Sequence, residues 1–292
     1  EKKCILFLGS AIHVAPPSPS VYQYPANKCP LIGAKLSQLL AAKSGYPEAD
    51  RYNLQRVSWY YEWRFQFRNL LVDEVKDAVY TDCEPSPVLR GLARLGFPLV
   101  ITTNYDLLYE EALHQVAQER ARAEGKSEAE VAKIRAQFDK CVYSSDSNVP
   151  TKDCEKEPSS ARPYLLKIHG DIIDEKSIVI TDEDYIQFVL RMTDKRKHRP
   201  IGEIMLTHLR RWPTLFIGYR LKDYNLRLLF KSLRWKLDDA IVPPTYSVDS
   251  QPDVLIRDLW QERRRHIRFI EKNLWEFVPD LYRAVTGQDM PQ

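Results

Sequence analysis

Six short apolar runs punctuate this chain, and each is closed by a glycine or a polar residue. Residues 4–8 end at Gly9, residues 99–103 at Asn104, and residues 165–168 at His169-Gly170. Residues 178–180 end at Thr181, residues 214–217 at Gly218, and residues 245–248 at Asp249. Helix-length patterns separate them. Near-continuous apolar runs of strand length, alternating with helices, are what a parallel sheet covered on both faces requires. The reading is an α/β fold with a mainly parallel six-stranded sheet. In such open sheets ligands bind beyond the carboxyl ends of the strands, so the closing residues are where function is to be sought.

The intervening patterns are specific enough to place helices. Leu226, Leu229, Phe230, Leu233 and Leu237 follow the spacing of a buried helix stripe. Thr181 with Asp184, and Ser127 with Glu130, have capping-pair spacing, and Gly125 divides residues 107–138 into two helices. Pro16, Pro17, Pro19, Pro25 and Pro30 mark an irregular loop, and residues 144–163 read as a mobile one. Residues 31–80 contain no strand pattern and carry Trp59, Tyr60, Tyr61, Trp63, Phe65 and Phe67. They read as a helical insertion packed on the core, with an aromatic wall beside a ligand or a partner interface as alternatives. Residues 255–275 have a helix pattern carrying Arg263, Arg264, Arg265 and Arg268, with Trp260, Ile267, Ile270, Leu274 and Phe277 as its apolar side. The domain expectation is a unit over 1–250 and a C-terminal helical extension over 251–292.

Composition narrows the class. At 292 residues the chain can bury about three quarters of its unfolded surface. A net charge of +3 gives no ground for nucleic acid as a direct partner or for a membrane surface. Cys4, Cys29, Cys83, Cys141 and Cys154 are scattered without C-x-x-C spacing, which indicates neither zinc nor a disulfide framework. A reducing, cytoplasmic setting is the simpler reading. No run approaches the roughly 18–20 apolar residues that span a bilayer.

Four strand ends carry chemistry. Gly9-Ser10-Ala11 is a small-residue turn, suited either to plain chain reversal or to bringing backbone N–H groups close to a pyrophosphate. In Thr103-Asn104-Tyr105-Asp106, Asp106 can cap the helix that follows, while the Asn104 amide can hold a ribose hydroxyl or a water. His169 ends its strand before a glycine, where a neutral imidazole can take a proton from a hydroxyl or water. Gly218, Tyr219 and Asp223 combine a close-approach glycine with a helix cap. Each has a structural explanation of its own.

Taken together and in order, these segments resemble the sirtuin-like NAD-binding family, in particular the branch found in bacterial anti-phage defence NAD hydrolases. The matching pieces are Leu8-Gly9-Ser10, Thr102-Thr103-Asn104-Tyr105-Asp106, Lys167-Ile168-His169-Gly170, Ile180-Thr181-Asp182-Glu183-Asp184-Tyr185 and Ile217-Gly218-Tyr219-Arg220-Leu221-Lys222-Asp223. The resemblance implies a Rossmann-like sheet with NAD as substrate and no metal. Asn104 and His169 would be the catalytic pair. Gly9, Ser10, Ala11, Thr103, Asp106, Gly218, Tyr219 and Asp223 would bind the dinucleotide.

Two departures qualify it. Ala11 stands where the family usually has glycine. The four-cysteine zinc module of the deacylase branch is also missing, which favours hydrolysis of NAD over protein deacylation. The function expected is an NAD glycohydrolase that depletes NAD in defence, held in check as a homo-oligomer or by a partner defence protein. The alternatives are a module that senses NAD or ADP-ribose without turnover and, less favoured, a sirtuin-type deacylase.

Overall fold

A computed structural model describes residues 3–144, 152–193, 201–219, 221, 243–261 and 267–292. Its centre is one parallel sheet of β1 (Ile5–Leu8), β2 (Leu99–Thr102), β3 (Asp139–Val142), β4 (Tyr164–Lys167), β5 (Thr214–Ile217), β6 (Thr245–Val248) and β7 (Ile267–Ile270). The strand order is β3-β4-β2-β1-β5-β6-β7, and every neighbouring pair is parallel. The chain runs outward from β1 to one side through β2 and β4. It then returns to the other side of β1 as β5. The order therefore reverses at the β1–β5 junction, where open α/β sheets place their ligands.

Side-chain alternation explains why both faces are covered. Ile5 and Phe7 of β1 point into one buried layer with Ile101, Leu166 and Phe216, beneath α7 (Asp182–Thr193) and α8 (Glu203–Arg211). Leu6 and Leu8 point into the other, with Val100, Leu165 and Ile217. That face is covered by α4 (Pro87–Leu95), α5 (Leu108–Ala123) and α10 (Leu274–Thr286), which contribute Leu92, Leu108 and Val278. Strands buried on both sides need apolar residues at every position, hence the continuous runs.

Among the described residues the sheet has seven strands where the sequence suggested six. The run 178–180 is not a strand. Its residues are buried as extended chain, Ile178 and Ile180 against the helices of residues 33–79 and Val179 against the sheet layer. An apolar run buried on both sides has one signature whether it pairs with a strand or is trapped between layers. The two strands that were not foreseen, β3 and β7, are the sheet's edges. Their mixed sequences, DKCV and IRFI, bury one position each and leave the others half-exposed or exposed. The helix expected over 255–275 is accordingly divided into α9 (Val254–Gln261), β7 and the start of α10, with Arg268 and Ile267 in the strand. The stripe from Leu226 to Leu237 and the arginines 263–265 lie outside the described residues, as do residues 145–151 of the loop expected at 144–163.

Between β1 and β2 the chain forms α1 (Gly33–Ser44), α2 (Leu54–Phe65) and α3 (Arg68–Val79). These pack on one another through Leu36, Leu40, Val57, Leu71 and Val75. Tyr105 and Ile172, which follow β2 and β4, join the same buried cluster, so the module sits at the carboxyl edge of the sheet. Of its aromatic residues Tyr61 is buried, whereas Trp59, Trp63 and Phe67 are exposed. Both capping pairs form: Asp184 N donates to Thr181 Oγ1 and Thr181 N to Asp184 Oδ2, and Ser127 N donates to Glu130 Oε2 at the start of the one-turn α6 (Glu128–Val131). Among the described residues no helix is long and apolar enough to cross a membrane.

Candidate active site

Backbone geometry brings the strand ends together. Gly9 and Gly218 follow adjacent strands and pack back to back, and Ala11 N donates to Gly218 O at 3.2 Å. The carbonyl of Leu8, the last residue of β1, accepts from Thr102 Oγ1 at 3.0 Å and from the Tyr219 hydroxyl at 2.8 Å. Tyr219 also lies 2.6 Å from Thr103 Oγ1. The ends of three neighbouring strands are thus tied to one another by side chains that belong to the candidate motifs.

The turn after β2 is held from below. Lys167, at the end of β4, is fully buried, and its ammonium donates to the carbonyls of Asp106 at 2.6 Å and Tyr105 at 3.1 Å. The same ammonium lies 3.2 Å from Asp171 and 3.5 Å from Glu110, with Lys140 completing the group. Burial pushes the Glu110 carboxyl above its ordinary range. Burial acts on Asp171 in the same sense, but Lys167 and Lys140 outweigh it and hold that carboxyl low. A buried lysine is tolerated here because carboxylates and carbonyls satisfy its donors.

Asp106 stands one residue before the N-cap position, Leu107, and still serves the helix start: Leu108 N donates to its Oδ1 at 2.9 Å. Its other oxygen, Oδ2, meets Nε2 of His13 at 3.2 Å. Burial would raise this carboxyl, yet His13 and Lys167 prevail and hold it below the usual carboxylate range. Asn104 is anchored by its backbone N–H on Thr102 Oγ1, and its amide reaches the same His13 Nε2 at 3.2 Å.

His169 is 6% exposed, with Nδ1 3.4 Å from the Tyr185 hydroxyl and Tyr185 and Phe188 edge-on to its ring. Burial drives its imidazole down to about 3, so the ring is neutral at ordinary pH.

Ser10, Ala11, Thr103, Asn104, Asp106, His169, Gly218 and Tyr219 line one cleft of about 910 Å³. Gly9 lies behind it against Gly218, and Asp223 lies outside the described residues. His13 and Tyr185 share this wall although the sequence reading assigned them no role. For His13 the available signal was its place two residues after the small-residue turn. For Tyr185 it was its place directly after the Thr181–Asp184 capping pair. The N-terminus of α1 opens on the same cleft. Its first turn has no acidic residue, and Gly33 N reaches Ser10 Oγ at 3.4 Å. That end adds positive potential where an anionic group would sit. Ala11 is not among the residues with positive φ, so its backbone makes no demand for glycine.

A parallel sheet with a polar cleft over its switch point, walled by an amide, a carboxylate and a neutral imidazole, defines a Rossmann-like α/β domain. Residues 98–273 match the SIR2-like domain family, and the chain belongs to it. The match takes in Asn104, Asp106, His169, Gly218 and Tyr219 and starts after the first loop. The chain is similar to "Defense-associated sirtuin 2" of Bacillus subtilis, 24% identical over 208 residues, or 70% of this chain and 17% of the relative. It is also similar to "NAD(+) hydrolase ThsA" of Enterococcus faecium, 27% identical over 170 residues, or 58% of this chain and 29% of the relative. The chain therefore spans less than a third of the length of either protein.

Proposed function

We propose that this chain is an NAD glycohydrolase, cleaving the nicotinamide–ribose bond of NAD to give nicotinamide and ADP-ribose. The observation that carries the reading is the convergence of Asn104, Asp106 and His169 on one cleft with the Ser10-Ala11 loop and the α1 N-terminus. A cleft of about 910 Å³ is of dinucleotide size. The pyrophosphate would take the first loop and the start of α1, with the nicotinamide ribose beside Asn104 and His169. Gly218 and Tyr219 would flank the adenosine half, and Asp223 is assigned there on the sequence resemblance alone.

The chemistry suits these groups. The pyridinium nitrogen keeps the bonding pair and leaves as neutral nicotinamide, and C1′ of the ribose becomes oxocarbenium-like. Water then adds to C1′ and gives up a proton. A neutral His169 can accept that proton, and its weak basicity is adequate because water attacking so electrophilic a carbon becomes acidic as the bond forms. Asn104 orients the ribose or the water, which is where most of the rate enhancement arises.

The names of the relatives support a role in defence, in which NAD depletion is the effector step. Unrestrained turnover would harm the host, so control by homo-oligomerisation or by a partner defence protein belongs to the proposal. The competing reading, an NAD or ADP-ribose sensor without turnover, is motivated by the Ala11 methyl. Chromatography of products after incubation with NAD separates them: nicotinamide and ADP-ribose support the hydrolase, and unchanged NAD despite calorimetric binding supports the sensor. Asn104→Ala and His169→Ala should each lower nicotinamide release about 100-fold or more. Undiminished release in both variants would overturn the site assignment.

A further inference from the structure

His13 closes the short 3-10 turn Ser10–His13, is 2% exposed, and forms part of the cleft wall. Its Nε2 faces two groups at once, Asp106 Oδ2 at 3.2 Å and the Asn104 side-chain amide at 3.2 Å. A ring nitrogen cannot donate to a carboxylate and accept from an amide NH2 in the same state. The carboxylate decides between the two. Asp106 is ionised, held by Leu108 N and buried, so it requires a donor at Oδ2, and Nε2 must carry the hydrogen. Asn104 is then satisfied at this point only by its amide oxygen. That resolves a second observation: with its NH2 toward His13, Asn104 Oδ1 is buried without a hydrogen-bond partner. Turning the amide gives the oxygen a donor and places the NH2 group where Oδ1 stood, in a residue that lines the cleft and with no protein partner of its own. Nδ1 of His13 is also buried without a hydrogen-bond partner, so the ring is held from its Nε2 side.

We propose that His13 is a positioning residue of this site, sharing Nε2–H between Asp106 and Asn104 and so fixing Asn104 with its NH2 toward the ligand. A ribose oxygen placed there is met by a donor, not by an acceptor. The identity of the ligand rests on the NAD reading above, whereas the His13–Asp106–Asn104 relay does not.

Two measurements on the full chain test this. In protein with 15N-labelled histidine rings, assigned by comparison with His13→Gln, nitrogen–proton correlation should show a hydrogen held on Nε2 of His13. That signature should be disturbed in Asp106→Asn. An Nδ1–H tautomer, or a ring averaging freely between states, overturns the proposal. Calorimetry with NAD supplies the second measurement. Glutamine can place its NH2 where Nε2–H stands and asparagine cannot. His13→Gln should therefore bind within about twofold of wild type, while His13→Asn and His13→Ala lose about tenfold, the equivalent of one buried hydrogen bond. Wild-type affinity in all three variants, or asparagine outperforming glutamine, overturns the assignment. If wild type itself does not bind NAD, the NAD reading fails. The hydrogen on Nε2 then decides His13 independently of any ligand.

Discussion

Gly9 and Gly218 sit so close that a methyl built on either lies 2.5 Å from the carbonyl oxygen of the other. The contact joins the ends of β1 and β5, the point where the sheet reverses its order, and it sets the floor of the cleft. Gly218 also has φ +81°, a left-handed conformation. Gly9→Ala and Gly218→Ala should each destabilise the fold by roughly 2–4 kcal/mol through overpacking, with backbone strain added at Gly218. Urea denaturation measures this, and a loss below about 0.5 kcal/mol would show that the junction yields easily.

Lys167 is the second support of the site. Lys167→Met removes the donor from the carbonyls of Tyr105 and Asp106 and leaves Glu110 and Asp171 with Lys140 alone. The expected loss is about 3–5 kcal/mol, the range for breaking a buried ion group from one side. Thermal and urea melts would reveal it, and a near-neutral result would mean that water replaces the ammonium.

One part of the pH dependence comes from His169, alongside His114 and His208, whose imidazoles burial also pushes down. Its folded pKa of about 3 lies below the ordinary histidine value near 6.5, so the unfolded chain binds the proton more readily. The stability it contributes is present in full above pH 6.5 and is lost progressively as pH falls toward 3. His169→Gln should therefore flatten unfolding free energy against pH between 6.5 and 4. Asp106, also held low, contributes only below about pH 4 and does not obscure that window. An identical slope in wild type and variant would show that His169 titrates normally.

Ala11 offers a milder test. Its N–H already donates to Gly218 O and its φ is not positive, so the loop is shaped around this residue. Ala11→Gly should cost about 0.4–1 kcal/mol through the entropy of the unfolded chain. NAD affinity should stay unchanged on the same samples, and a clear gain would instead show that the methyl crowds the ligand.

Much of this molecule was legible before any coordinates. The central strands are buried on both faces, so their apolar runs and polar ends mark them, and the residues that end them lead to one edge of the sheet. Local hydrogen-bond chemistry likewise declared the Thr181–Asp184 and Ser127–Glu130 caps and the role of Asp106 at the helix start. Edge strands β3 and β7 were missed because half-solvated strands lack that apolar signature, and residues 178–180 were misread because burial on two sides imitates a strand.

What sequence alone determined is the parallel α/β class and the identity of the strand-end residues, since both follow from patterns local in the chain. Only tertiary structure decided that His13 stands against Asp106 and Asn104, more than ninety residues away. It also decided that Lys167 underpins their turn. Such partners are selected by how parallel strands are ordered across the sheet, and no spacing along the chain encodes that order.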